Sequence, residues 1–112
     1  MPNLSPKSFY VGSNVGAGSN VYTVANTVGN YSIIKNINLC NTTASNAVCN
    51  IHLLIDGASV SNANKIVSNV NVLANNVVFY NTSIVVPANS SIHVTQVTAN
   101  AITFAISGVE YA

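Results

Sequence analysis

Charge is what this chain lacks. Lys7, Lys35, Lys65, Asp56 and Glu110 are its only ionisable residues of the Asp, Glu, Lys and Arg type, 4% of 112 residues. Soluble domains usually carry about 25%. There is no arginine, and three scattered lysines make no phosphate-neutralising patch, so nucleic-acid binding is excluded. A basic membrane-surface helix is excluded for the same reason. No run of about 18 apolar residues is present, so no membrane span is expected. The first residues, MPNLSPKSFYVGSNVG, hold no apolar signal-peptide core. Synthesis and folding in a reducing cytoplasm is therefore the expectation.

Asn, Ser and Thr must supply the wetted surface. A formal net charge of +1 gives little long-range steering and little repulsion between copies. Surfaces near zero charge tend to associate, so the composition suits a part of an assembly. At 112 residues the chain has length for one core, and a domain of this size buries roughly two thirds of its unfolded surface.

Val, Ile and Thr recur throughout, broken by Asn, Gly and Ser. No window holds a capped helical pattern. NANKIVSNVNVLANN comes nearest, but Val70 and Val72 alternate with Asn69 and Asn71, which favours a strand over a short helix. Strands are expected near 20–25, 31–41, 47–55, 65–73, 76–81, 83–86, 91–98 and 101–110. The fold class is all-β: an antiparallel β-sandwich, Ig-like or jelly-roll-like, of about seven to nine short strands. Residues 1–19 are assigned to an extended N-terminal arm or loop, with FYV (9–11) as a short edge strand, and residues 20–112 to a single sandwich domain.

Several faces follow from alternation. Ile102, Phe104 and Ile106 point one way, Thr103, Ala105 and Ser107 the other. Ile92 and Val94 point inward and His93 outward. The alternation slips at Thr95–Gln96–Val97, the mark of a bulge. Asp56-Gly57 and the stretch VPANSS (86–91) are turns.

LCNTTASNAVC (39–49) contains both cysteines and reads as a hairpin loop. Ile33, Ile37 and Leu39 share one face, so Cys40 lies outside. Cys49, Ile51, Leu53 and Ile55 share the facing set, so Cys49 lies in the core. A disulfide would need the two cysteines paired directly, which turns one apolar set outward. Two free thiols are expected, in keeping with a reducing compartment.

Chemistry is sparse. His52 and His93 are the available bases, with Asp56 and Glu110 as candidate orienters, but no GxSxG elbow is present. Both histidines read as exposed strand residues, and no enzyme is expected. Cys40, Cys49 and His52 lack zinc-site spacing, and Cys49 and His52 fall on opposite strand faces. No metal and no cofactor is expected. GAGSN (16–20) has neither a following helix nor a lysine and reads as a loop. The Asn-x-Ser/Thr triplets at Asn3, Asn30, Asn41, Asn81 and Asn89 read as composition. Tyr10, Tyr22, Tyr31, Tyr80 and Tyr111 could form a sugar-binding face or be half-buried strand and interface residues, and Phe9, Tyr10, Tyr22, Tyr31 and Tyr80 are the candidate interaction residues.

Five stretches in order, NVYTV (20–24), SIIKNINLCN (32–41), IHLLIDG (51–57), VVPANSSIHV (85–94) and ISGVEY (106–111), resemble those of small β-sandwich virion structural proteins of tailed bacteriophages. The resemblance spans most of residues 20–112. Asn89-Ser90 stands where such proteins often have Gly-Asp, and Ala25-Asn26-Thr27 where they often have Pro-Ala-Gly, so loop-borne function does not carry over. The resemblance implies a non-enzymatic module of the virion, a capsid decoration or cement subunit or a neck or tail accessory subunit. Its partners would be itself, as a homo-oligomer with a trimer among the expected forms, and other virion proteins. A receptor- or glycan-binding module at the virion surface is the alternative.

Overall fold

The computed structural model describes residues 3–13 and 18–112. Eight strands run in chain order: β1 (Leu4–Gly12), β2 (Ser19–Thr23), β3 (Tyr31–Asn41), β4 (Ala47–Leu54), β5 (Lys65–Val72), β6 (Val77–Pro87), β7 (Ser91–Gln96) and β8 (Ile102–Tyr111). They form two four-stranded sheets. Sheet A has the order β1-β8-β3-β6 and sheet B the order β2-β7-β4-β5.

The pairing explains the order. β1 pairs with β8, β2 with β7, β3 with β6 and β4 with β5, all antiparallel. The chain is thus one long double-stranded ribbon, and rolling it up brings β3 beside β8 and β4 beside β7. This is a jelly roll, the second of the two sandwich types expected.

The core lies between the sheets. Phe104, Ile102 and Ile106 of β8 are sealed from water, as alternation requires, and so are Ile92 and Val94 of β7. Cross-strand ranks run through all of sheet A. One inward rank is Tyr10–Ile106–Ile37–Tyr80, with a tyrosine at each edge.

β3 departs from strict alternation. Between Ile34 and Asn36 its register against β8 jumps: Ile34 faces Gly108, Asn36 faces Ser107, and Lys35 is the extra residue of a β-bulge. The bulge turns Lys35 outward and lets Ser32 and Ile34 share the buried face with Ile37 and Leu39. Ile33, expected inside, lies on the outer face for this reason. Gly108 makes room for the bulge: a Cβ there would collide with the Ile33 carbonyl oxygen.

LCNTTASNAVC is not a hairpin. β3 belongs to sheet A and β4 to sheet B, so the segment is an arch across the sandwich. Asn41, buried, organises it. Its Oδ1 accepts from the Thr43 N–H and Oγ1–H, and its Nδ2 donates to the carbonyls of Ser45 and Val72. Both ends of its amide are thus committed within the fold. The thiols are free and placed as expected, Cys40 half-buried and Cys49 buried. Burial pushes the Cys49 thiol up to about 12, which leaves almost no reactive thiolate. Native protein is therefore expected to take up one alkylating group, at Cys40, and denatured protein two, with no mass change on reduction. Mass spectrometry checks this, and a second modification of the native protein would count against it.

Other differences have local causes. Leu4–Gly12 is a full edge strand along β8, not an arm with a three-residue strand. Gly16 and Ala17 of the GAGSN reading lie outside the described residues. The expected strands at 76–81 and 83–86 are one, β6, irregular at Asn81–Ile84 opposite the bulge. The slip at Thr95–Gln96–Val97 is the end of β7 rather than a bulge. Gln96 turns in there, donating to the Ser13 carbonyl and accepting from the Ile102 N–H. Ile55, expected in the core, is exposed in a 3₁₀ turn at Ile55–Gly57. Asn69, Asn75, Asn89 and Asn100 all adopt positive φ, a conformation asparagine tolerates better than most residues. Part of the asparagine content therefore shapes the backbone as well as wetting the surface.

Candidate functional site

The two outer faces differ in chemistry. On sheet A, Val11, Ala105, Asn38 and Phe79 form one outward rank, Pro6, Val109, Ile33 and Val85 a second, and Leu4, Tyr111, Tyr31 and Pro87 a third. A polar rank of Ser8, Ser107, Asn36 and Asn81 separates the first from the others. Much of the apolar surface is open: Val11 is 67% exposed, Phe79 62%, Leu4 57% and Val85 53%. Isolated exposed apolar residues are ordinary, but a contiguous apolar face marks an interaction surface. Asn38 Oδ1, within this face, is buried without a hydrogen-bond partner.

This face continues to an open edge. β6 ends sheet A, with β3 as its neighbour. Its eleven residues, VVFYNTSIVVP, include no charge. Uncharged apolar edges invite strand pairing from another chain, and proteins usually guard them with lysine or proline. Only Pro87, at the far end, does so here. Between β6 and β5, the edge strand of sheet B, lies a groove of ≈ 420 Å³. Ile37, Val67, Val70 and Ile84 line it, with Tyr80 and Thr82 beside them.

The opposite side of the sandwich is closed. Phe9 of β1 stacks on Tyr22 of β2, ring centroids 4.5 Å apart. The Tyr22 hydroxyl donates to Glu110 at 2.9 Å and shares a 2.6 Å hydrogen bond with Ser32 Oγ. Lys7 binds the same Glu110 oxygen at 2.9 Å. Burial, then the Glu110 charge and hydrogen bond, hold the Tyr22 phenol above its ordinary range, against the opposing pull of Ser32. The Lys7 hydrogen bond, chiefly, holds Glu110 below the usual carboxylate range.

The five aromatic candidates thus fall in three places. Phe9, Tyr10 and Tyr22 pack against the core at the β1–β2 side. Tyr31 stacks on Tyr111, 5.0 Å away, on the outer face of sheet A. Tyr80 stands at the groove. They make no single sugar-stacking platform. Sequence reasoning missed the wider face, because Leu4, Pro6, Phe79, Val85 and Val109 come together only through the register of β1, β8, β3 and β6. The signal available was β6 itself, a long uncharged apolar run.

The acid–base candidates are dispersed as well. Glu110 is held by Lys7 and Tyr22, and Asp56 accepts from Asn89 Nδ2 at 3.0 Å. Neither carboxylate hydrogen-bonds a histidine. Among the described residues, no group of three or more His, Cys, Asp or Glu is placed to hold a metal. No helix among them is long and apolar enough to cross a membrane.

No protein-family model matches the chain, and no curated protein matches it. Among solved structures it is similar to a chain from the crystal structure of the T13 IBDV viral particle, described there as a missing link in icosahedral virus evolution. The TM-score is 0.56 at 12% identity, over 98% of this chain and 30% of that one. The likeness is one of fold, and this chain spans less than a third of the other's length.

Proposed function

We propose that the chain is a non-enzymatic structural subunit of a virus particle, acting through protein–protein contacts made by the outer face of sheet A and the β6 edge. The observation that carries this reading is the apolar, nearly uncharged outer face of a jelly roll. Its fold likeness to a chain of an icosahedral viral particle supports the same reading. The finer assignment is a capsid decoration or cement subunit, or a neck or tail accessory subunit, of a tailed bacteriophage, made in the bacterial cytoplasm and carried in the virion. Its partners are other copies of itself and neighbouring virion proteins.

Permanent packing accounts for the missing charges. A free protein with such a face and edge is at risk of aggregation. In a closed assembly the same surface is covered by symmetric contacts, and its apolar area contributes to association. The purified chain is expected to elute as a discrete homo-oligomer, measured by size-exclusion chromatography with light scattering. Replacing Phe79 and Val85 together with lysine is expected to yield monomer with an unchanged circular dichroism spectrum. A wild-type chain that stays monomeric at every concentration would overturn self-association. Particles imaged without density for the chain would overturn the virion role.

A further inference from the structure

Each sheet ends in two edge strands, β1 and β6 in sheet A, β2 and β5 in sheet B. Three of the four are blunted in the ways proteins use against stray pairing. β1 carries Pro6 and Lys7, and its register breaks between Ser8 and Tyr10. β2 has only five residues and breaks between Asn20 and Tyr22. β5 opens on Lys65, breaks twice against β4 and holds Asn69 at positive φ. The outer face of sheet B is overlaid as well. His52, expected to stand exposed, is buried there, with Nδ1 bonded to the Ser61 carbonyl and to Asn64 Oδ1. Its ring meets that of His93 edge to face, centroids 6.1 Å apart.

β6 is different. It runs eleven residues, Val77–Pro87, without a charge or a positive φ. Its pairing with β3 shifts beside the bulge, but its own alternation holds. Phe79, Asn81, Ser83 and Val85 face outward, and Tyr80, Thr82 and Ile84 line the groove toward β5. The strand also reads nearly alike in both directions. On either side of Thr82, its central residue, stand polar Asn81 and Ser83. Beyond them Tyr80 matches Ile84, Phe79 matches Val85 and Val78 matches Val86.

Resting on the reading of the chain as a self-associating subunit, we propose that a second copy pairs its β6 with β6, antiparallel, about a two-fold axis at Thr82. The two four-stranded A sheets become one sheet of eight strands. In this register Phe79 lies opposite the partner's Val85, Tyr80 opposite the partner's Ile84 and Asn81 opposite the partner's Ser83. Opposed residues point the same way, so the two apolar outer faces run on into each other and Tyr80 and Ile84 meet over the groove. A one-residue slip would set outward residues against groove-facing ones. A two-residue slip would set Phe79 opposite Ser83 and Tyr80 opposite Thr82, apolar against polar.

The contact is large enough to hold. An eleven-residue antiparallel ladder exchanges roughly ten backbone hydrogen bonds, as many as a typical protein interface carries in all. Its electrostatic cost is small. Lys35, which bonds Ser83 Oγ at 2.8 Å, is the charge beside β6. The two copies of Lys35 lie on strands three spacings apart, roughly 14 Å, beyond the screening length of about 8 Å.

Oxidative cross-linking in a Cys40→Ser background tests the register. That background removes the half-buried thiol and leaves Cys49 buried. Thr82→Cys sets two thiols directly across the axis, within disulfide reach. Val77→Cys leaves its two thiols about 34 Å apart along the ladder. Most of the Thr82→Cys protein is expected to become covalent dimer, and almost none of the Val77→Cys protein. Equal cross-linking of the two, or none in a protein that is still oligomeric, would overturn the β6 pairing and leave self-association through the outer face of sheet A standing. A trimer or other odd oligomer would do the same, because a two-fold contact cannot serve every subunit of an odd ring. A chain monomeric at every concentration would overturn both. Should Thr82→Cys not fold, amide exchange of the wild-type oligomer read by NMR decides. Protection of all β6 amides supports the pairing, and rapid exchange of every second one overturns it.

Discussion

Gly108→Ala is expected to lower the melting temperature by about 10–15 °C, a loss of about 3 kcal/mol at the upper end of overpacking costs. The reason is what the new methyl would meet. A Cβ at Gly108 would collide with the Ile33 carbonyl oxygen and lie 2.9 Å from the Lys35 nitrogen. Both are backbone atoms of β3, a strand paired on both sides, with β8 and with β6. A flexible side chain would swing away at little cost, but a paired strand moves only by giving up ladder hydrogen bonds. The contact sits at the bulge that orients the whole of β3, so strain there threatens the inward placement of Ile34 as well as local packing. Ser107→Ala, one residue away and exposed, is expected to change stability by less than about 0.5 kcal/mol. Thermal unfolding followed by circular dichroism compares the two. Similar melting temperatures for both variants would mean that β3 can shift, and that the bulge is not held by the missing side chain.

The bulge also shows where sequence stops being informative. The alternation of ITFAIS and SIHV located β8 and β7 and their buried faces, because a strand of uniform period states its own orientation. In SIIKNINLC strict alternation puts Lys35 on the same face as Ile33, Ile37 and Leu39. That lysine was the available sign of a register break, since a charge among core positions is costly. The arch at 42–46 left no such sign. A polar loop between two apolar strands reads alike whether the second strand stays in the sheet or crosses to the other, and the buried amide of Asn41 that fixes the crossing looks like any surface asparagine. The same limit applies to the sites. The aromatic residues are visible in sequence, but their division among a closed side, an outer face and a groove is set by register. His52 and His93 lie 41 residues apart, and nothing local marks them as partners.

The segment before β2 carries the strongest test of the fold. Deleting residues 1–12 is expected to abolish cooperative unfolding, whereas an arm could be removed with the sandwich intact. LSPKSFYVG looks unlike a strand because Pro6 interrupts it. Proline is tolerated on an edge, where its missing N–H has no ladder partner to lose, and β1 is the edge of sheet A. Its removal leaves β8, from Tyr111 to Phe104, paired on the β3 side alone. Lys7 is lost from Glu110. Phe9, 8% exposed and stacked on Tyr22, leaves the core open at the β1–β2 side. Losing a buried phenylalanine costs about 3–5 kcal/mol, and each net backbone hydrogen bond adds about 0.5–1.5 kcal/mol. Domains hold only about 5–15 kcal/mol in total, so the sum reaches the whole margin. Phe9→Ala separates the two contributions: it keeps the ladder, so it is expected to fold cooperatively with the phenylalanine loss alone. A truncated chain that melts cooperatively near the full-length temperature would restore the arm and assign the closure of that side to Tyr22, Ser32 and Glu110 without β1.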